Sequence, residues 1–147
     1  MIEQDFDFRQ VPKTWALCYI GECKRKKECM RYQLQLLATD ETHCRPCILP
    51  TVMRDGKACQ HFHPIEKVRA AAGFKKILTE VKEKHRASIR LKLISYLGPG
   101  GTFYRYRNGK SLLMPEQQKW IVNLLREYGY TEDIEFDGYK ELYRYFR

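Results

Sequence analysis

The chain has 147 residues, six of them cysteine, with 27 Lys and Arg against 18 Asp and Glu for a formal charge of +9. Hydrophobic residues make up 44%, enough to build a core and to exclude wholesale disorder, and no run of ~18 apolar residues offers a membrane span. The length fits one domain or two small ones, and the basic excess points to acidic partners such as nucleic acid without bearing on the fold.

The chain opens Met1-Ile2-Glu3-Gln4-Asp5, with two acids and no apolar stretch. No secretory signal is read there, so a cytosolic location is expected, where thiols stay reduced. All six cysteines fall in the first 59 residues, as C-x4-C-x5-C, then C-x2-C, then C-x11-C. Such crowding suggests one shared task, and metal binding needs three or four soft ligands within about 2.0–2.3 Å of the ion. Cys18 and Cys23 are expected on a loop around Gly21. Cys29 is expected in the first turn of a helix carrying Met30, Leu34 and Leu37, where the helix start favours a thiolate. Lys24, Arg25, Lys26 and Lys27 would offset the negative charge of several thiolates.

The fourth ligand has two candidates. Cys59 lies in a compact stretch before Phe62 and Pro64, whereas Cys44-Arg45-Pro46-Cys47 is a C-x2-C pair of the kind that puts two sulfurs on one turn. Two arrangements stay open. One is a single site of Cys18, Cys23, Cys29 and Cys59. The other adds a second site of Cys44, Cys47 and His61 or His63. Zinc is the favoured cofactor because histidines stand nearby, and an iron–sulfur cluster, which also accepts four cysteines, is the alternative. Free cysteines packed as small core residues would need no metal at all.

Pro64 suits the first turn of a helix over 65–72, broken by Gly73. Phe74, Ile77, Leu78 and Val81 form the next helical stripe. Ser88 is expected to cap a further helix, ended by Gly98-Pro99-Gly100-Gly101. Residues 103–107 fit either a hairpin turning at Asn108-Gly109 or a short helix capped there. Pro115 starts a helix to about Tyr128, with Trp120, Ile121, Leu124 and Leu125 on one face and Gly129 as its stop. Asp137 is expected to cap a last helix bearing Tyr139, Leu142, Tyr143 and Phe146. His85 reads as solvated. The fold class is therefore mainly α: a small helical domain with an N-terminal Cys-rich metal-binding knuckle and at most one short hairpin. Residues 1–63 form the Cys-rich region and 64–147 the basic helical region, within one compact unit.

The charge is concentrated. Residues 67–110 hold 12 Lys and Arg and two acids, whereas residues 132–141 hold five acids and one Lys. The basic segment interleaves cations with aromatics, which suits phosphate neutralisation and base stacking. Lys75, Lys76, Arg86, Arg90, Lys92, Tyr104, Arg105, Tyr106 and Arg107 are the expected nucleic-acid contacts. A solvated helix face with core tyrosines is the plainer explanation of the same pattern. Gly109-Lys110-Ser111 resembles the end of a phosphate-binding loop, but Tyr104 stands where its first Gly belongs. H-E-x-x-H, G-x-S-x-G and paired-histidine finger spacings are missing, and no catalytic residue is assigned.

Several segments carry a resemblance: C-x4-C-x5-C-x-R-Y from Cys18 to Tyr32, Cys59-Gln60-His61-Phe62, Tyr104-Arg105-Tyr106-Arg107-Asn108-Gly109, Pro115-Glu116-Gln117-Gln118 and Phe136-Asp137-Gly138-Tyr139. In these the chain resembles an uncharacterised family of small cysteine-rich bacterial proteins. The family pattern has four cysteines, corresponding to Cys18, Cys23, Cys29 and Cys59, and Cys44 and Cys47 depart from it. The resemblance implies the single-site arrangement and brings no activity, substrate or partner. The resulting expectation is a non-enzymatic, metal-stabilised protein binding RNA or DNA, within a ribonucleoprotein. A protein-interaction adaptor with a protein partner, or an iron–sulfur redox protein, is the alternative.

Overall fold

The computed structural model describes residues 2–39 and 41–145. The chain divides into two compact units, Met1–Glu66 with Tyr143–Arg147, and Lys67–Leu142.

The first unit has little regular structure. A 3-10 turn at Phe8–Gln10 is followed by β1 (Leu17–Cys18), α1 (Met30–Gln35), β2 (Cys47–Ile48) and a second 3-10 stretch at Pro50–Gly56. β1 and β2 pair in parallel, Leu17 opposite Cys47 and Cys18 opposite Ile48. Met30 and Leu34, one turn apart on α1, are fully buried beside Trp15, Leu17, Phe8, Val11 and Tyr143. The Trp15 indole N–H donates to the Tyr145 carbonyl at 2.7 Å, and Tyr143 stacks edge-on against Phe6 with centroids 5.4 Å apart. The C-terminal residues are thus part of this core.

The second unit is built on longer elements: β3 (Lys67–Ala71), α2 (Lys75–Glu80), α3 (Glu83–Leu97), α4 (Gly101–Arg107), α5 (Pro115–Glu127) and β4 (Tyr139–Tyr143), which pairs with β3. Phe74, Ile77 and Val81 from α2 and its flanks meet Ile89 and Leu93 of α3, Phe103 of α4, and Ile121, Leu124 and Leu125 of α5. The expected stripes of α2 and α5 therefore face the core. α4 settles the choice at 103–107 as a short helix, with Asn108 as its C-cap and Gly109 at φ 81°. Ser88 does not start a helix. It lies inside α3, and its hydroxyl bonds to that of Tyr128.

The architecture is mixed α/β, with five helices and two small sheets among the described residues, and the mainly helical reading is wrong. Two segments account for the error. Pro64 does not open a helix: it bridges to Cys29, and residues 67–71 extend as β3, with Val68 and Ala70 buried and Lys67 and Arg69 exposed. That alternation is the period-2 signature of a strand. Tyr139–Tyr143 is a strand too. Phe146, assigned to the same last helix, lies outside the described residues. Asp137 is a helix cap, but of α2: its carboxylate accepts the N–H groups of Lys75 at 2.8 Å and Lys76 at 3.0 Å. Gly73 makes room for it. Its φ is 87°, and a Cβ there would sit 2.7 Å from the Asp137 carboxylate and 3.1 Å from the Arg107 carbonyl.

Candidate functional site

In the first unit, Cys18, Cys23, Cys29 and Cys59 line one pocket. Each arrives from a different piece of local structure. Cys18 ends β1. Cys23 follows a turn in which its own N–H donates to the Ile20 carbonyl. Cys29 is the residue before α1, where its side chain makes no capping bond, and Cys59 lies between the second 3-10 stretch and Pro64. Burial pushes the Cys18 thiol up, against a lowering backbone bond from Ile20, and the neighbouring Cys29, Cys23 and Cys59 push it further. Ionising several of these thiols together is unfavourable unless a positive charge joins them.

Arg31 ties together three of the four cysteine-bearing segments, those of Cys18, Cys29 and Cys59. It stands two residues after Cys29. Its Nη1 donates to the Ala16 carbonyl at 2.7 Å, just ahead of Cys18, and its Nε donates to the His61 carbonyl at 2.8 Å, just after Cys59. The guanidinium carbon lies 4.4 Å from the centre of the Trp15 ring. Burial pulls its pKa down, while Cys29, Cys59 and Cys18 pull it back up. Arg25 stacks on Phe62 at 3.4 Å, and Lys26 Nζ donates to the Gly21 carbonyl at 2.8 Å. Among the described residues the pocket lining holds these cations and apolar side chains, and no carboxylate.

The donor set suits a soft metal: four thiols, with His61 also on the lining. The preformed metal-binding knuckle is not there, however. Among the described residues no group of three or more His, Cys, Asp or Glu is already set to hold an ion. The second arrangement is not assembled either. Cys44 lines a separate depression beside His43, and Cys44 and Cys47 are both exposed. His63 is buried, its Nε2 donating to the Arg144 carbonyl at 2.6 Å and its ring edge-on to Trp15.

In the second unit, Lys75, Arg86, Arg90 and Arg107 line one depression with Leu78 and Thr79 and, among the described residues, no acid. Tyr104 is 39% exposed beside two of them. The Arg107 guanidinium lies 4.7 Å and that of Arg90 5.5 Å from its ring centre, and Arg90 also donates to its hydroxyl. Arg86 is partly committed, since its Nε donates to the Leu78 carbonyl at 3.1 Å and its Nη2 to the Val81 carbonyl at 3.3 Å. The other expected contacts lie elsewhere. Lys76 lines a depression with Glu80, Glu132, Asp133 and Glu135. Lys92 sits 4.8 Å from the ring centre of Tyr128, near a stacked Tyr96–Trp120 pair. Arg105 donates to Ser111 Oγ at 3.3 Å, and Tyr106 packs against the core.

The model of DUF6078, a family of unknown function, matches residues 1–145. The chain belongs to this family. No curated protein and no solved structure matches it. Membership of an uncharacterised family is thus as the sequence motifs imply. In this DUF6078 chain the main residue missed from sequence is Arg31. Its only signal was its place in C-x-R-Y, because a half-buried arginine bonding two distant carbonyls leaves no periodic trace.

Proposed function

We propose that this protein is a non-enzymatic nucleic-acid-binding protein whose contact surface is the Lys75, Arg90, Tyr104 and Arg107 cluster of the second unit. The supporting observation is the placement of Arg90 and Arg107 beside the exposed Tyr104 ring, both of them lining a depression without an acid among the described residues. Guanidinium groups pair with phosphate oxygens through two donors at once, and a tyrosine face stacks on an unpaired base. Single-stranded RNA or DNA supplies both partners together, because its bases are free of a helix stack. Arg86, held by two carbonyls, contributes charge and little new hydrogen bonding. Lys76, Lys92, Arg105 and Tyr106 drop out of the contact surface.

Fluorescence anisotropy with a labelled single-stranded oligonucleotide tests this. Affinity should fall with salt, and reversing charge in an Arg90→Glu, Arg107→Glu double variant should weaken it about tenfold or more and flatten the salt slope by roughly 1–2. Lys76→Glu, in its acidic surroundings, should change it little. Undiminished binding in the double variant removes this surface from consideration. No binding even at low salt favours the adaptor reading, in which the partner is a protein.

A further inference from the structure

We infer that Cys18, Cys23, Cys29 and Cys59 close on a soft metal as a tetrathiolate centre, taking one zinc ion or one iron–sulfur cluster. The inference stands apart from nucleic-acid binding, since every residue it uses lies in the first unit. Selection is its first support. Of six cysteines spread along 42 residues, four line the same pocket, and Cys44 and Cys47 do not. Chance burial of small side chains does not explain why these four converge while the two with the tightest spacing stay exposed.

Donor chemistry is the second support. Among the described residues the lining carries no carboxylate of the kind that hard cations such as magnesium or calcium take. Sulfur donors select zinc, copper(I) or iron–sulfur centres. Arg25, Lys26 and Arg31 on the same lining offset the negative charge that four thiolates leave after a divalent ion has bound. Each ligand thiol gives its proton to solvent as its sulfur–metal bond forms, so binding releases up to one proton per cysteine. A zinc ion needs no electron transfer. A cluster requires iron and sulfide delivered together from the cell.

The third support is what the unit lacks. Among the described residues its regular structure up to Glu66 is one six-residue helix, two two-residue strands and two short 3-10 stretches. A domain below roughly 70–80 residues gains little from its core and usually relies on staples such as metals or disulfides. All six cysteines are free thiols here, so no disulfide fills that role. Arg31 already brings Ala16, Cys29 and His61 within one side chain's reach. Among the described residues the thiols are not yet set to hold an ion, so closure on the metal requires them to move together.

The test uses the full chain purified under anaerobic conditions, with elemental analysis, a sulfide assay and a visible spectrum. One zinc per chain without colour identifies the ion. Iron with matching acid-labile sulfide and a brown colour identifies the cluster. Cys59→Ser should lower bound metal at least tenfold, while a Cys44→Ser, Cys47→Ser double variant should keep the native content. If Cys59→Ser does not fold, chelator titration of the native chain replaces it, and the melting temperature should fall as metal leaves. A metal-free chain whose melting temperature responds to neither zinc nor chelator overturns the inference. So does equal loss of metal in the Cys44, Cys47 variant.

Discussion

The two units are held together by different means. In the second, the four helices α2 to α5 and flanking segments pack apolar side chains into one cluster around Phe74 and Phe103, whose tilted rings lie 5.7 Å apart. In the first, elements of two to seven residues are tied by side chains reaching to backbone carbonyls: Arg31 to Ala16 and His61, Gln33 to Lys26, Trp15 to Tyr145. A hydrophobic core is roughly additive in buried area and forgiving in position, whereas a polar clasp depends on a few directional bonds. Single substitutions should therefore act through volume in one unit and through geometry in the other.

The largest effect is expected at Phe103, which is 1% exposed. Phe103→Ala should cost about 3–5 kcal/mol in urea unfolding, from lost transfer energy and the cavity left behind. Native-state amide exchange should quicken across α2 to α5 and stay near its original rate in α1. Equal acceleration in α1 would mean that the two cores are not energetically separate, and the contrast drawn above would fail.

A subtler effect is expected at Arg31. Arg31→Lys keeps the charge but replaces a planar fork with a point donor that cannot serve the Ala16 and His61 carbonyls together. The loss should be about 1.5–3 kcal/mol, with faster exchange in α1 and no change in oligonucleotide affinity. A loss equal to that of Arg31→Ala would confirm that geometry matters here more than charge. A lysine variant as stable as the native chain would show that charge alone suffices.

The same contrast explains how much could be read from the sequence. The stripes of α2 and α5 and the stop at Gly98 were legible, because helical periodicity is a local signal, whereas cysteine spacing left two ligand sets open and only the family resemblance singled out the four that share a pocket. β1 and β2 were not, since two-residue strands are too short to show alternation. β3 did alternate, but Pro64 just upstream suggested a helix start, and its pairing partner lies far along the chain. Asp137 was rightly seen as a cap and given to the wrong helix, because capping chemistry is local in sequence only when the helix follows the cap. Of the nine basic and aromatic residues proposed to meet nucleic acid, the depression gathers those on matching faces of α2, α3 and α4. Lys92 falls two positions from Arg90 and so faces another direction.

The smallest expected effect concerns Tyr145, packed edge-on against Trp15 with its hydroxyl buried and, among the described residues, without a hydrogen-bond partner. Burial, with a lesser push from Tyr143, raises its pKa to about 12 from an ordinary 10.0. Between those values the unfolded chain gives up the phenolic proton and the folded chain keeps it. Stability should therefore fall as pH rises through that window and be insensitive to this group below it. Tyr145→Phe should remove this part of the alkaline loss. At neutral pH it should leave stability unchanged or raise it by up to about 1 kcal/mol, since no bond is broken and an unpaired hydroxyl leaves the interior. Thermal melts of both proteins from pH 7 to 12 would decide it. A clear destabilisation at neutral pH would mean that the hydroxyl is partnered after all, and that the first unit is tied by one more polar bond at its C-terminal end.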